Sequence, residues 1–271
     1  MKIINEALDL EVKETFLIER IRQSGNDEFS HEEINDLVIT EHHLNCFINE
    51  QLAFKLVCTP EKLDVLILGY LFSEGYIENL ADVNFIYICD SGERAKVQLN
   101  KAISLNKIDH DVTGESISCG NNKKIRQAAQ ISSLKQLPPH QVSYETVFKL
   151  ANACNKNAAL FSETGGTHCA AISIDEDEFF TCEDIGRHNA VDKTIGLALA
   201  ANKRLTHAVL FTTGRIPSDM VLKAIRCGIP IIASHSAPTN EAITMARQFN
   251  LTLIGFVRGK RLNIYAGKLC N

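Results

Sequence analysis

The sequence predicts an α/β protein: a larger C-terminal unit of alternating strands and helices, preceded by a smaller N-terminal α+β unit. Three observations lead there. From Cys169 onward, short apolar runs rich in β-branched residues alternate with segments of helical spacing. Some of these runs, such as Ile229-Pro230-Ile231-Ile232-Ala233, are apolar throughout, as in buried central strands, with Pro230 near the start where a missing N–H is tolerated. Polar glycine turns follow several of the runs, at the strand ends where α/β sheets gather ligands.

Taken in order, the first forty or so residues mix charged and short apolar groups, with a turn at Gln23-Ser24-Gly25-Asn26-Asp27, and read as peripheral. Cys46–Asn49 and Leu52–Cys58 form a hairpin around Glu50 and Gln51. Thr59 then caps a helix with Pro60 in its first turn, running from Asp64 to Ser73 and ended by Gly75. Asn84–Cys89 and Arg94–Leu99 make a second strand pair, and a polar loop follows up to Lys123. A polar helix, Lys124–Ser133, gives way to Pro138-Pro139, which divides the chain into residues 1–137 and 138–271.

The second unit begins with a helix, Tyr144–Asn155. Strands follow at Cys169–Ile174, Phe179–Cys182, His207–Thr212, Ile229–Ala233 and Leu251–Val257, with helices at Ala190–Ala201, Ser218–Cys227 and Asn240–Phe249. Such alternation implies a largely parallel sheet covered on both faces.

Composition bounds the function. A formal charge of -5 gives no basic field for polymeric nucleic acid or an anionic membrane surface. Acidic residues interrupt the N-terminus where a signal peptide needs an apolar stretch, and no apolar run is long enough to span a bilayer, so a cytoplasmic location is expected. Nine scattered cysteines read as reduced thiols, mostly core fillers.

Four turns carry the candidate chemistry. Glu163-Thr164-Gly165-Gly166-Thr167-His168 offers backbone N–H groups, hydroxyls and an imidazole to an anion. Glu183-Asp184-Ile185-Gly186-Arg187-His188-Asn189 sets five polar types at a helix start. Thr212-Thr213-Gly214-Arg215-Ile216-Pro217-Ser218 repeats the pattern of strand, glycine and arginine. Gly255-Phe256-Val257-Arg258-Gly259-Lys260-Arg261 places three cations beside a ring, suited to phosphates and a stacked base. Singly, each reads equally as a tight turn, an ion-pair cluster, a helix cap or a solvated charged turn. Their convergence at strand ends is what points to a phosphate-bearing ligand. Cys119, in a polar loop before Lys123 and Lys124, could be an exposed thiolate or an incidental cysteine. The paired His-x-Glu and Pro-Cys-x-x-Cys segments of a zinc deaminase are not both present, so no zinc is expected.

These motifs resemble the FdhD family of formate dehydrogenase accessory sulfurtransferases. The likeness is carried by Thr164-Gly165-Gly166-Thr167-His168, the run from Glu183 through Lys193, Thr213-Gly214-Arg215, Gly228-Ile229-Pro230-Ile231, Ser236-Ala237-Pro238-Thr239 and Gly255-Phe256-Val257-Arg258. It extends more loosely to Cys58-Thr59-Pro60 and to Leu68 through Gly75.

The resemblance implies a larger domain with a cytidine-deaminase-like, three-layer α/β/α fold without zinc. It implies sulfur taken as persulfide from a cysteine desulfurase and passed to the molybdenum cofactor of formate dehydrogenase, the bis(molybdopterin guanine dinucleotide) form, which a guanosine nucleotide mimics in part. It also implies a homodimer. By position Cys119 would carry the persulfide. Phe256, Val257, Arg258, Gly259, Lys260 and Arg261 would bind the cofactor, together with the turn residues Gly165, Gly166, His168, Arg187, His188, Asn189 and Arg215. The family loop usually reads Cys-Gly-x-Cys-Gly; here Asn122 stands at the second cysteine, which rules out a two-thiol relay within this loop. A cofactor-binding chaperone without covalent sulfur chemistry is the alternative.

Overall fold

A computed structural model describes residues 1–25, 28–100, 134–175 and 178–270; Cys119 and the helix expected at Lys124–Ser133 lie outside the described residues. The chain opens with β1 (Lys2–Asn5), a hairpin of β2 (Lys13–Ser24) and β3 (Glu28–Ile39), and a second hairpin of β4 (His42–Ile48) and β5 (Gln51–Cys58). Helix α1 (Leu63–Ser73) and strands β6 (Val83–Ile88) and β7 (Arg94–Leu99) complete this part. The larger unit then starts with α2 (Tyr144–Lys156), α3 (Ala159–Thr164), β8 (His168–Asp175), β9 (Glu178–Asp184) and α4 (Arg187–Ala200). It ends with β10 (Val209–Thr212), α5 (Ser218–Arg226), β11 (Ile231–Ser234), α6 (Asn240–Gln248), β12 (Thr252–Arg258) and β13 (Arg261–Ala266).

The larger sheet has the order β13-β12-β11-β10-β8-β9. A largely parallel sheet is expected from the alternation, and the structure corrects this to a mixed one. Strands β10, β11 and β12 run parallel, whereas β8, β9 and β13 pair antiparallel with their neighbours. The reason is connection length. β8–β9 and β12–β13 are joined by two residues each, which closes only a hairpin.

Side-chain alternation then builds the layers. Cys169, Ala171, Val209, Phe211, Ile231, Ala233 and Val257 share a core with Val147, Leu150, Ala151 and Cys154 of α2. Their neighbours Ala170, Ile172, Leu210, Ile232 and Leu253 face the other way, into a cluster with Val191 and Ile195 of α4, Val221 of α5 and Ala242 of α6. Among the described residues no helix is long and apolar enough to cross a membrane.

The smaller sheet, β1-β6-β7-β4-β5, turns Leu44, Cys46 and Ile48 of β4 into that same cluster beside α1. Helix α1 crosses α4 at backbone contact. A Cβ on Gly69 would lie 1.8 Å from the Asp192 carbonyl oxygen, and one on Gly196 would lie 1.9 Å from that of Val65. Glycine at both positions is therefore what lets the two sheets share a core.

Two local expectations are corrected. Thr59 does not cap α1, whose N-cap is Lys62 in the left-handed conformation (φ 54°); the Thr59 hydroxyl is engaged elsewhere. Helix α4 begins at Arg187 rather than Ala190, which puts Arg187, His188 and Asn189 in its first turn. The N-terminal stretch read as peripheral is also regular. β2 and β3 pair residue by residue, from Lys13 with Ile39 to Ser24 with Glu28, as a two-stranded ribbon apart from both sheets.

Candidate functional site

The antiparallel placement of β8 brings its first residue, His168, opposite Asp184 at the end of β9 and beside the end of β10, where Thr212 pairs with Ala170. The ends of β11 and β12 lie along the same edge of the sheet. Three of the four glycine turns thus leave the larger sheet at one edge, and the fourth, Thr164–Thr167, leads straight into β8.

Beneath this ledge runs a seam of buried charge. Lys193 is 1% exposed and its Nζ lies 2.7 Å from Asp184 Oδ2, while Asp184 is wholly buried. Asp184 Oδ2 also accepts the Thr59 N–H and hydroxyl at 3.1 Å, and Oδ1 accepts the Gly186 N–H and the Asn189 amide at 2.9 Å. Lys193 donates in turn to the Thr59 hydroxyl and carbonyl. Every lone pair and proton of a desolvated pair must be met in this way for the pair to be tolerated. The seam ties β5 of the smaller sheet to the Gly186 turn. Asn189, expected in the ligand site, also donates to the Val57 carbonyl at 2.7 Å, so the structure places its amide on the inner side of this turn.

A second buried pair sits one residue earlier on α4, at Asp192. Lys223 Nζ donates to both oxygens of Asp192 (3.0 and 2.9 Å) and to the Ser73 hydroxyl, and lies 2.8 Å from Glu74 Oε1. Burial alone would lower the Lys223 ammonium, but Asp192 and Glu74 hold it above its ordinary range. Glu183 is structural too: it accepts the Leu160 and Phe161 N–H groups at the start of α3 and the Thr167 hydroxyl.

What faces outward is different. Arg187 lays its stem against Gly214, where a Cβ would come within 2.8 Å of the Arg187 Cβ, and its Nε is buried with no hydrogen-bond partner among the described residues. His168 Nδ1 lies 3.3 Å from the Thr213 hydroxyl, which in turn accepts the Cys169 N–H. Burial, then Arg187 and His188, push His168 below its usual pKa, so the imidazole stays neutral at physiological pH. His188 Nε2 lies 3.3 Å from Asp219 Oδ2 but is not aligned to hydrogen-bond.

At the far end of the ledge Phe256 holds φ at 52°, a conformation that ordinary side chains avoid. The Arg258 guanidinium lies 5.8 Å from its ring centroid and donates to the His235 carbonyl at 3.0 Å. Val257 points into the core, whereas Arg258, Gly259, Lys260 and Arg261 are exposed, as is Arg215. Gly165 (φ 67°) ends α3, and Gly166 packs under Ile39 of β3. Sequence reasoning missed His235, whose Nε2 meets the Asn155 amide oxygen and whose Nδ1 meets the Val257 carbonyl. Its position just after an apolar strand was the available signal.

Residues 39–269 match the model of the FdhD/NarQ family. The chain belongs to this family. It is 36% identical over 242 residues to the sulfur carrier protein FdhD of Listeria monocytogenes, covering 87% of this chain and 92% of that one. The FdhD of Bacillus subtilis is 33% identical over 233 residues (86% and 89% of the two chains), and that of Methanothermobacter thermautotrophicus 31% over 233 (86% and 90%). The fold is similar to a crystal structure from Desulfotalea psychrophila described as a candidate formate dehydrogenase accessory protein. Its TM-score is 0.73 at 23% identity, covering 93% of this chain and 97% of that one. The family span takes in the larger sheet, the smaller sheet apart from β1, and the whole ledge, and it begins at the last residue of β3, so the ribbon stands almost entirely outside it.

The thiols of this FdhD/NarQ chain divide sharply. Cys46, Cys58, Cys154, Cys169, Cys182 and Cys227 are buried. Burial pushes the Cys58 thiol up to about 12 and raises Cys46, Cys182 and Cys227, and the hydrogen bond with Cys169 together with burial raises Cys154. None of those raised thiols offers a thiolate near neutral pH. Cys89 is partly exposed; burial works against it, but the Ser91 hydroxyl at 3.3 Å and the turn N–H groups lower its pKa.

Proposed function

We propose that this protein is a sulfur carrier in formate dehydrogenase maturation, with Cys119 bearing the persulfide. In this reading the Cys119 thiolate attacks the terminal sulfur of a cysteine desulfurase persulfide, forming a Cys119 persulfide and releasing the desulfurase thiolate. In a second transfer the S–S bond breaks, Cys119 leaves as the thiolate, and the sulfane sulfur goes to the molybdenum cofactor, whose reduced metal would supply the two electrons that convert it to sulfide. The larger domain would be a cytidine-deaminase-like fold without zinc, the protein cytoplasmic and a homodimer. The support is the set of relatives named sulfur carriers, together with buried cysteines whose raised pKa values suit packing rather than exchange.

The ledge fits a guanine dinucleotide as the molecule to be served. The unpartnered Nε of Arg187 and the exposed Arg215, Arg258, Lys260 and Arg261 suit its phosphates, and Phe256 offers a ring to the base. Neutral His168 can exchange a hydrogen bond with an anion without adding fixed charge.

Incubation with a cysteine desulfurase and cysteine, followed by mapping of persulfides by mass spectrometry, tests the carrier. Modification of Cys119 is expected, with Cys119→Ala failing to activate formate dehydrogenase. Modification at Cys89 instead would move the carrier role to that turn. Full activity of Cys119→Ala with retained binding of guanosine diphosphate would establish the second reading, a cofactor chaperone, which the absence of a second loop cysteine favours.

A further inference from the structure

The ribbon of β2 and β3 touches the ledge at its root, where Ile39 packs on Gly166 and Lys13 pairs with Glu163. It nevertheless exposes Phe16, Leu17, Ile21, Phe29 and Val38, each at least 41% accessible. A lone two-stranded hairpin is marginal in water, and independent stability needs three or more strands or a packed partner. Among the described residues β2 and β3 pair only with each other, so each leaves a row of outward N–H and C=O groups to be met.

The two edges differ in charge. β3 carries Glu28, Glu32, Glu33 and Asp36 and neither lysine nor arginine. Laid antiparallel on itself at either register that uses its length, it opposes Glu33 to Glu33 or Asp36 to Glu32, which is destabilising. β2 carries Lys13, Glu14, Glu19, Arg20 and Arg22. Paired about Glu19 it would oppose that residue to itself. About Ile18, Glu14 meets Arg22 of the second copy, Phe16 meets Arg20, Leu17 meets Glu19 and Ile18 meets its equivalent, so no like charges are opposed.

We infer that two copies of this chain join along β2, antiparallel about Ile18, making one four-stranded sheet in the order β3-β2-β2-β3. The contact is isologous, as a two-fold dimer requires. It joins backbone to backbone across the open β2 edges and leaves the acidic β3 edges outermost, where charge discourages further pairing. The inference rests on the pairing proposed above and gives it a surface; it does not depend on sulfur transfer.

Sedimentation velocity on the full chain tests it with three proteins. The wild type should sediment as a dimer. Arg22→Glu, which sets two carboxylates across the contact, should lose the dimer. The double variant Glu14→Arg/Arg22→Glu should regain it. Residues 14 and 22 lie about 27 Å apart along one strand, too far to meet within a chain. Both variants also lose the Arg22–Glu32 pair inside the ribbon, so recovery can come only from across the interface. Circular dichroism checks that the variants are folded. Dimers in all three proteins would place the pairing on another surface and overturn the inference, as would a double variant that stays monomeric. A monomeric wild type would overturn the pairing itself.

Discussion

The seam and the ledge are built from the same residue types within a few residues of one another, and they treat charge in opposite ways. In the seam, Lys193 and Lys223 meet buried carboxylates, and neighbouring hydroxyls and carbonyls complete their contacts. On the ledge, Arg187 keeps an Nε with no partner among the described residues, and Arg215, Arg258, Lys260 and Arg261 stand exposed. Charge that the fold has fully matched serves stability. Charge that it holds in place but leaves unmatched is available to a ligand.

The contrast breaks most easily at Lys193. Lys193→Met leaves Asp184 buried without its cation and should lower stability by about 3–5 kcal/mol in urea unfolding. A variant of unchanged stability would mean that the seam does not brace the turn above it. Gly196→Ala should cost about 1–3 kcal/mol or more, since the added Cβ meets the Val65 carbonyl. A wild-type unfolding midpoint would show that the helices are not in contact there.

On the ledge the prediction inverts. Arg258→Ala should weaken binding of guanosine diphosphate by about 1.5–3 kcal/mol in calorimetry, with stability within about 0.5 kcal/mol of wild type. Unchanged affinity removes Arg258 from the site.

The smallest effect is the pH dependence of His168. Its folded pKa lies below the ordinary 6.5, so its contribution to stability is complete above that value and is lost as pH falls through it. His168→Gln should flatten the acid side of the melting-temperature curve below about pH 6.5. Part of the slope should remain through His140, which burial also lowers. Identical curves for the two proteins would mean that the imidazole is solvated.

Much of the larger unit was legible because apolar strands and amphipathic helices announce themselves by period. What the period does not carry is inward against outward within one polar turn. Glu183 through Asn189 reads as a cluster of five polar types, yet Asp184 and Asn189 turn inward to Thr59 and Val57 while Arg187 and His188 lie half-buried against Gly214 and Asp219. Those inward partners lie more than a hundred residues earlier, beyond any local pattern. The ribbon escaped for another reason. Each of its faces mixes charged and apolar residues, so neither alternation nor a uniform run marks its strands. β13, read as the end of a charged turn at Arg261, has the burial of an edge strand.

The crossing of α1 over α4 has a mechanical side. Side-chain contacts yield under load by changing rotamers, and a contact between two glycines and the carbonyls they face has no rotamers to change. The smaller sheet therefore rests on α4 through α1 with little slack at the crossing. The first residue of that helix is Arg187, so the same stiff crossing that joins the two sheets also fixes the helix from which the ledge's arginine projects.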